Sequence, residues 1–178
     1  METVGVGDGD GDRHDGGVTA PLLFLDVDGP LIPFGARDGA YPTYPPAPPS
    51  SVSPLLARLD PAHGARLAAL PYELVWATTW EEDANAWVAP RLGLPDLPLV
   101  RWPDAPGEEE WVPGLHWKAP ALVAWAAGRA FAWVDDEIGA VDRVWVAARH
   151  PGRALLHRVD PRRGLGDSDY AALAAWAA

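Results

Sequence analysis

Residues 22 to 31 read LLFLDVDGPL, an apolar run that ends in two aspartates one residue apart and a glycine. A short apolar run bounded by turn formers describes a strand buried on both faces. Two carboxylates at its end are costly, because close like charges repel and neither leaves water without compensation. Taken alone, the stretch reads equally well as a strand closing in an acidic turn, since Asp and Gly are common turn residues. The rest of the chain separates the two readings.

Four further apolar runs read as strands: ELVWATT (73–79), LPLV (97–100), AFAWVDD (130–136) and ALLHRV (154–159). Between them, SPLLARLDPAHGARLAAL (53–70) looks helical, with Pro61 and Gly64 expected to break it. The run 79–93 starts like a helix, with Thr79 and Glu82 in capping-box spacing and Gly93 as its stop. Helices are also expected at 117–128, 139–150 and 167–178, the last capped by Asp167 or Ser168. The proline-rich segment YPTYPPAPPSSVSP (41–54) is expected to be an irregular surface loop. Strands alternating with helices, the strands almost continuously apolar, predict an α/β fold whose parallel sheet is covered on both faces.

The 178 residues suffice for one domain with a substantial core, expected over 21–178 after a Gly/Asp-rich disordered tail at 1–20. Asp8, Asp10 and Asp12 have the spacing of a calcium loop. However, Arg13 stands where such a loop needs glycine, and no glutamate closes it, so a solvated tail is the better reading. Glu108 to Glu110 likewise read as a solvated charge run. No apolar run approaches the ~18 residues of a membrane span, and the N-terminus lacks the basic start and apolar core of a signal peptide. The absence of cysteine excludes a disulfide scaffold and thiolate chemistry. A cytoplasmic protein without a membrane partner is expected. The net charge of -11 argues against a general nucleic-acid binder. Basic residues are otherwise arginine, and Lys118 is the only lysine. Its compact ammonium is not interchangeable with a guanidinium at a tight site.

The chemically capable groups collect at strand ends. Asp26 and Asp28 follow the first strand, Thr78 and Thr79 the second, and Asp135, Asp136 and Glu137 the fourth, while Lys118 opens the helix leading into it. That edge is where ligands bind in open α/β sheets. Several carboxylates gathered there need a cation, and an all-oxygen ligand set suits magnesium. One carboxylate can then act as nucleophile and its neighbour can carry protons. A hydroxyl, a lysine and backbone amides would hold three anionic oxygens, a combination suited to phosphoryl transfer.

DVDGPL, the WATT strand end, Lys118 and WVDDE together resemble, in order, the four motifs of the haloacid dehalogenase (HAD) superfamily of hydrolases. The resemblance covers roughly residues 20–178. It implies a HAD-like Rossmannoid three-layer αβα sandwich around a central parallel sheet of about five strands. It also implies a magnesium-dependent phosphatase working through an aspartyl-phosphate. Position by position, Asp26 would be the nucleophile, and Asp28 would protonate the leaving group and then activate water. Thr78 would hydrogen-bond the phosphoryl group, leaving Thr79 as helix cap, and Lys118 would neutralise charge. Magnesium would be held by Asp26, the Asp28 backbone carbonyl and Asp136, with Asp135 in support. Relatives that are true dehalogenases lack the second aspartate, so Asp28 points to phosphate hydrolysis. Pro30 departs from the usual Thr or Val, with little harm expected if the amides of Val27 and Asp28 bind phosphate.

Many members of that superfamily select substrates with an inserted cap domain. Here neither the gap at 29–72 nor that at 101–116 is large enough for one. The motif spelling resembles small bacterial members, some associated with RNA repair, and open sites are common among relatives acting on nucleic-acid ends or phosphoproteins. A nucleotide is a further candidate substrate. Trp80 and Trp117 are placed to stack on a base or sugar, although core packing is the simpler role for a tryptophan in a chain with ten. Tyr41 and Tyr44 either recognise ligand or pack their own loop. The five histidines show no metal-ligand spacing, and only His116 lies near enough to Lys118 to reach the site.

Other arrangements of the same residue types fail on order. A signalling receiver domain places its acidic pair first and its lysine last, whereas here the Asp135–Asp136 pair follows the lysine. A nucleotide kinase needs GxxxxGK[ST], and the lysine sits in HWKAP. A dinucleotide fold needs its glycines after the first strand, and GVGDGDG precedes it. The remaining alternative is a non-catalytic module of the same fold that binds a partner or nucleotide.

Overall fold

The computed structural model describes residues 19–37, 41–103 and 112–178. The Asp8, Asp10 and Asp12 spacing, the 1–20 tail up to residue 18, and Glu108 to Glu110 lie outside the described residues. Four strands, β1 (Leu22–Leu25), β2 (Glu73–Trp76), β3 (Phe131–Asp135) and β4 (Ala154–Arg158), form one parallel sheet in the order β2-β1-β3-β4. All four residues of β1 are buried because both of its faces are covered. Leu23 and Leu25 pack into one core with Leu67, Val88 and Leu173. Leu22 and Phe24 pack into another with Leu122 and Val146. The alternation of side chains along a strand thus supplies two cores, one on each side of the sheet.

The sheet has four strands, not about five. Residues 97–100 make a single bridge, Leu99 opposite Trp76. Pro95 and Pro98 have no N–H to offer a ladder. Leu97 gives its amide to Asn85 Oδ1 and accepts from Asn85 Nδ2 through its carbonyl, so neither group is free for the sheet. What survives is a two-bond clip on the β2 edge, from Trp76 N–H to the Pro98 carbonyl and from Val100 N–H to the Trp76 carbonyl.

The predicted helix at 53–70 is broken before Pro61, into a 3-10 turn (Pro54–Arg58) and α1 (Ala62–Ala68). Gly64 does not break α1 but lies inside it, facing the helix that follows β2. A Cβ there would stand 1.7 Å from the Leu92 carbonyl oxygen. Gly64→Ala is therefore expected to destabilise the fold by about 3 kcal/mol or more, since neither backbone yields without repacking. Urea unfolding measures this, and a loss below ~1 kcal/mol would show that the helix pair can separate.

The run after β2 is a π-helical turn (Ala84–Val88) continuing into α2 (Ala89–Leu92), which stops at Gly93 with φ +66° as expected. Thr79 does not cap it. The hydroxyl that takes a backbone amide is that of Thr78, from Trp80, and the chain turns through Glu81 at φ +48° before the helix. Then follow α3 (Ala119–Ala126), α4 (Ala140–Arg149) and α5 (Asp167–Ala177). The start of α5 is not held by Asp167 or Ser168. Asp169 Oδ2 instead accepts the Gly166 N–H, the acidic half of a capping box three residues in. The proline-rich segment is irregular and packs on its own neighbours: the Tyr41 hydroxyl accepts from Ala36 N–H, and Tyr44 N–H donates to the Ala57 carbonyl. Among the described residues, no helix is long and apolar enough to cross a membrane.

Candidate functional site

All strands run in the same direction, so their carboxyl ends share one edge. From β1 the chain goes to β2 on one side and later to β3 on the other, which makes the gap between β1 and β3 the switch point where such sheets bind ligands. The register pairs Leu25 with Val134. The next residues along, Asp26 and Asp135, therefore sit side by side at that gap.

Lys118, immediately before α3, bridges them. Its Nζ lies 2.7 Å from Asp26 Oδ2 and 2.8 Å from Asp135 Oδ2. All three side chains are buried, Lys118 with 3% and Asp135 with 0% of its surface exposed. Asp135 is saturated, because Oδ2 also accepts from Trp133 Nε1 and Oδ1 accepts the Glu137 amide. Asp26 Oδ1 takes the Val27 amide at 2.8 Å, so that amide already has an acceptor within the site.

The electrostatics follow from burial. Loss of solvent pushes Asp26 up to about 7; Lys118 opposes this and the charge of Asp135 adds to it. Asp136 is pushed to about 6, chiefly by burial and then by the charge of Asp135. Burial alone would lower Lys118, but the carboxylates of Asp26 and Asp135 outweigh it and hold the ammonium above its usual range. Two carboxylates compensated by one ammonium leave the buried group one positive charge short.

Gly29 answers two needs of the acidic turn. Its φ is +86°, and a Cβ there would lie 2.7 Å from Asp136 Cγ and Oδ1. Only glycine lets the β1 turn touch the carboxylate arriving from β3. Asp28 is oriented by Trp80, whose Nε1 donates to Asp28 Oδ2 at 2.9 Å. These groups open onto a pocket of about 240 Å³ lined by Asp26, Asp28, Thr79, Lys118, Asp136 and Glu137, among others. Thr79 faces it, while Thr78 is buried beside it and accepts Trp102 Nε1 at its carbonyl. A larger cleft of about 520 Å³ between α4 and β4 is lined by Arg143, His150 and apolar residues, without a carboxylate.

The histidine nearest the site braces the lysine. Lys118 N–H donates to His116 Nδ1, so the neutral ring carries its proton on Nε2, 3.3 Å from Glu137 Oε2 and 3.9 Å from Asp135 Oδ1. His116 N–H in turn donates to Asp142 Oδ1, and Asp142 Oδ2 accepts the Gly139 amide at the start of α4. Asp142 thereby ties α4 to the segment that delivers Lys118.

Ligand atoms of Asp26, Asp135 and Asp136, and separately of His116, Asp135 and Glu137, converge closely enough to hold a metal ion. The first set is all oxygen and fits a hard cation. The second fits poorly, because a metal on Nε2 would force a proton onto Nδ1, against the Lys118 N–H. Asp142 escaped the sequence reading, and Trp80, expected to stack on a ligand or pack in the core, instead holds Asp28. A signal for Asp142 existed, a glycine three residues before an acid at a helix start; for the Trp80–Asp28 bond there was none. The chain matches no protein-family model, no curated protein and no solved structure.

Proposed function

We propose that the protein is a magnesium-dependent phosphohydrolase, a HAD-like member with a Rossmannoid three-layer αβα arrangement. The observation that carries the reading is the buried Asp26–Lys118–Asp135 bridge at the sheet's switch point, open on one side to Asp28, Asp136 and a hydroxyl. Asp26 attacks phosphorus, the ester P–O bond breaks, and the departing oxygen takes a proton from Asp28. Asp28 then removes a proton from water, whose oxygen attacks the same phosphorus. The bond to Asp26 breaks, and inorganic phosphate leaves. Lys118 balances charge on Asp26 and the transferred group. Trp80 keeps Asp28 aimed at the oxygen that leaves and the oxygen that enters. Of the two threonines, Thr79 lines the pocket, so in this reading the phosphoryl hydrogen bond moves from Thr78 to Thr79.

Asp26, Asp136 and the Asp28 carbonyl would hold Mg2+, with Asp135 orienting Lys118 because its own oxygens are engaged. Bound there, the ion supplies charge neutralisation for the phosphoryl oxygens. The substrate is a phosphate monoester, and a reducing, cytoplasmic setting suits a cysteine-free chain. Release of phosphate from p-nitrophenyl and acetyl phosphates, with Mg2+ and with chelator, tests the activity. Magnesium-dependent turnover supports it. Failure on both, together with no rise in melting temperature from beryllium fluoride plus Mg2+, would leave a binding module of the same fold.

Protons and metal compete for the same oxygens. Asp26 and Asp136 keep their protons to about 7 and 6 when folded, but release them near 3.8 when unfolded. Between those limits the folded chain binds more protons, so metal-free stability falls as pH rises from about 4 to 7. Mg2+ replaces those protons. Its gain in melting temperature should be small at pH 5 and largest near pH 8, and a gain independent of pH would remove these carboxylates from the metal site.

A further inference from the structure

Four large apolar side chains are exposed among the described residues, Phe34, Trp117, Val141 and Val144, and the two aromatic ones both line the 240 Å³ pocket. An exposed aromatic face at the mouth of a charged site is a surface on which a flat ring can stack. The Trp117 ring is held in place, and Phe34 is anchored through its backbone. Trp117 stands edge-on to Trp102, with centroids 4.8 Å apart, and stacks on His116 at 5.7 Å. Phe34 donates its amide to the Pro161 carbonyl, on a turn where Leu165 N–H reaches Pro30. A ring fixed in advance, as that of Trp117 is, costs little entropy when a second ring stacks on it.

The distance of Trp117 from the reacting groups limits what that ring can be. The Lys118 ammonium lies 2.7 Å from Asp26 Oδ2 and 5.7 Å from the Trp117 centroid. An aromatic ring joined directly to the phosphate oxygen would lie beside Trp117. A nucleobase, separated from its phosphate by a ribose, would project beyond a pocket smaller than the ~300 Å³ at which drug-sized sites begin. We infer that the site selects aryl phosphates, monoesters whose leaving oxygen is carried by an aromatic ring, with Trp117 and Phe34 as the specificity-determining residues. The inference rests on the phosphohydrolase reading. Its net reaction is aryl phosphate plus water giving a phenol and inorganic phosphate, with the phenolic oxygen taking its proton from Asp28.

The test measures kcat/KM for phenyl phosphate and cyclohexyl phosphate, which differ in aromaticity more than in size, and for AMP and ribose 5-phosphate. Comparing each variant with wild type cancels the intrinsic difference in leaving groups. The phenyl-to-cyclohexyl ratio should fall about tenfold, mainly through KM, in Trp117→Ala and in Phe34→Ala, and be retained in Trp117→Phe. Both positions are part-exposed, so melting temperatures should stay near wild type and confirm folded variants. An unchanged ratio in both alanine variants overturns the inference while leaving the phosphohydrolase reading standing. A loss confined to AMP relative to ribose 5-phosphate overturns it in favour of nucleotides. No turnover of any of the four by wild type sinks the phosphohydrolase reading and the inference together.

Discussion

Asp26→Asn should lower magnesium-dependent phosphate release by about 10⁴-fold or more, the scale on which removing a nucleophile acts. The amide is a poor nucleophile and cannot form the acyl phosphate that the second half-reaction hydrolyses. A loss that large is meaningful only if the fold survives, and the charges say it will. The buried group holds two carboxylates against one ammonium, and Asn leaves Lys118 paired with Asp135 at 2.8 Å. Burial is already the main force pushing Asp26 towards its protonated form. The melting temperature without metal should therefore hold or rise slightly, while the magnesium-induced gain shrinks. Turnover within tenfold of wild type would end the assignment of Asp26 as nucleophile. A collapse of the melting temperature would instead make Asp26 a structural counter-ion.

The fold was legible where composition and burial coincide. β1 and β3 are buried along their whole length because both of their faces are covered, so each stands out as an apolar run. The edge strands β2 and β4 are buried in part and were carried by their apolar centres. The fifth expected strand, 97–100, had the apolar side chains but too few backbone groups free to build a ladder. Its prolines and the Asn85 clasp are facts of backbone bonding that hydrophobicity does not report. Gly64 illustrates the opposite failure. As a propensity it predicts a break; in place it is what lets α1 lie against the carbonyl of Leu92.

The site was legible for the same reason as the sheet. In a parallel sheet, strand order along the chain fixes which residues reach the common edge, so Asp26, Asp28, Lys118, Asp135 and Asp136 could be grouped before any distance was known. Their partners were not legible. Trp80 on Asp28, Asp142 on His116 and the Gly29–Asp136 approach depend on side chains from separate elements meeting in space. Thr79, assigned to the helix, turned out to face the pocket because the chain takes an extra turn through Glu81 before the helix begins.

Lys118→Met keeps the length of the side chain and removes the one cation between Asp26 and Asp135, so two consequences follow. The first is catalytic: without the ammonium, negative charge accumulates on attack with less compensation, and kcat should fall about 10²-fold or more. The second is a pH signature in stability. Removing one partner of a buried ion pair costs about 3–5 kcal/mol because the remaining charge is left without compensation. That cost requires both carboxylates to be ionised, and the folded protein holds a proton on Asp26 to about 7. At pH 5 the variant can keep that proton, and Asp135 retains the Trp133 indole and the Glu137 amide. The cost of keeping it at pH 5 is shared by wild type, which also holds it there. At pH 8 wild type has released it, and only the variant must either retain it at a cost or bear two facing charges. The loss of unfolding free energy relative to wild type should therefore be clearly larger at pH 8 than at pH 5, and millimolar Mg2+ should recover part of it at pH 8. Urea unfolding at the two pH values decides. Equal losses would mean that Lys118 acts through packing alone, and no loss at either would mean that its ammonium does not stabilise the buried carboxylates.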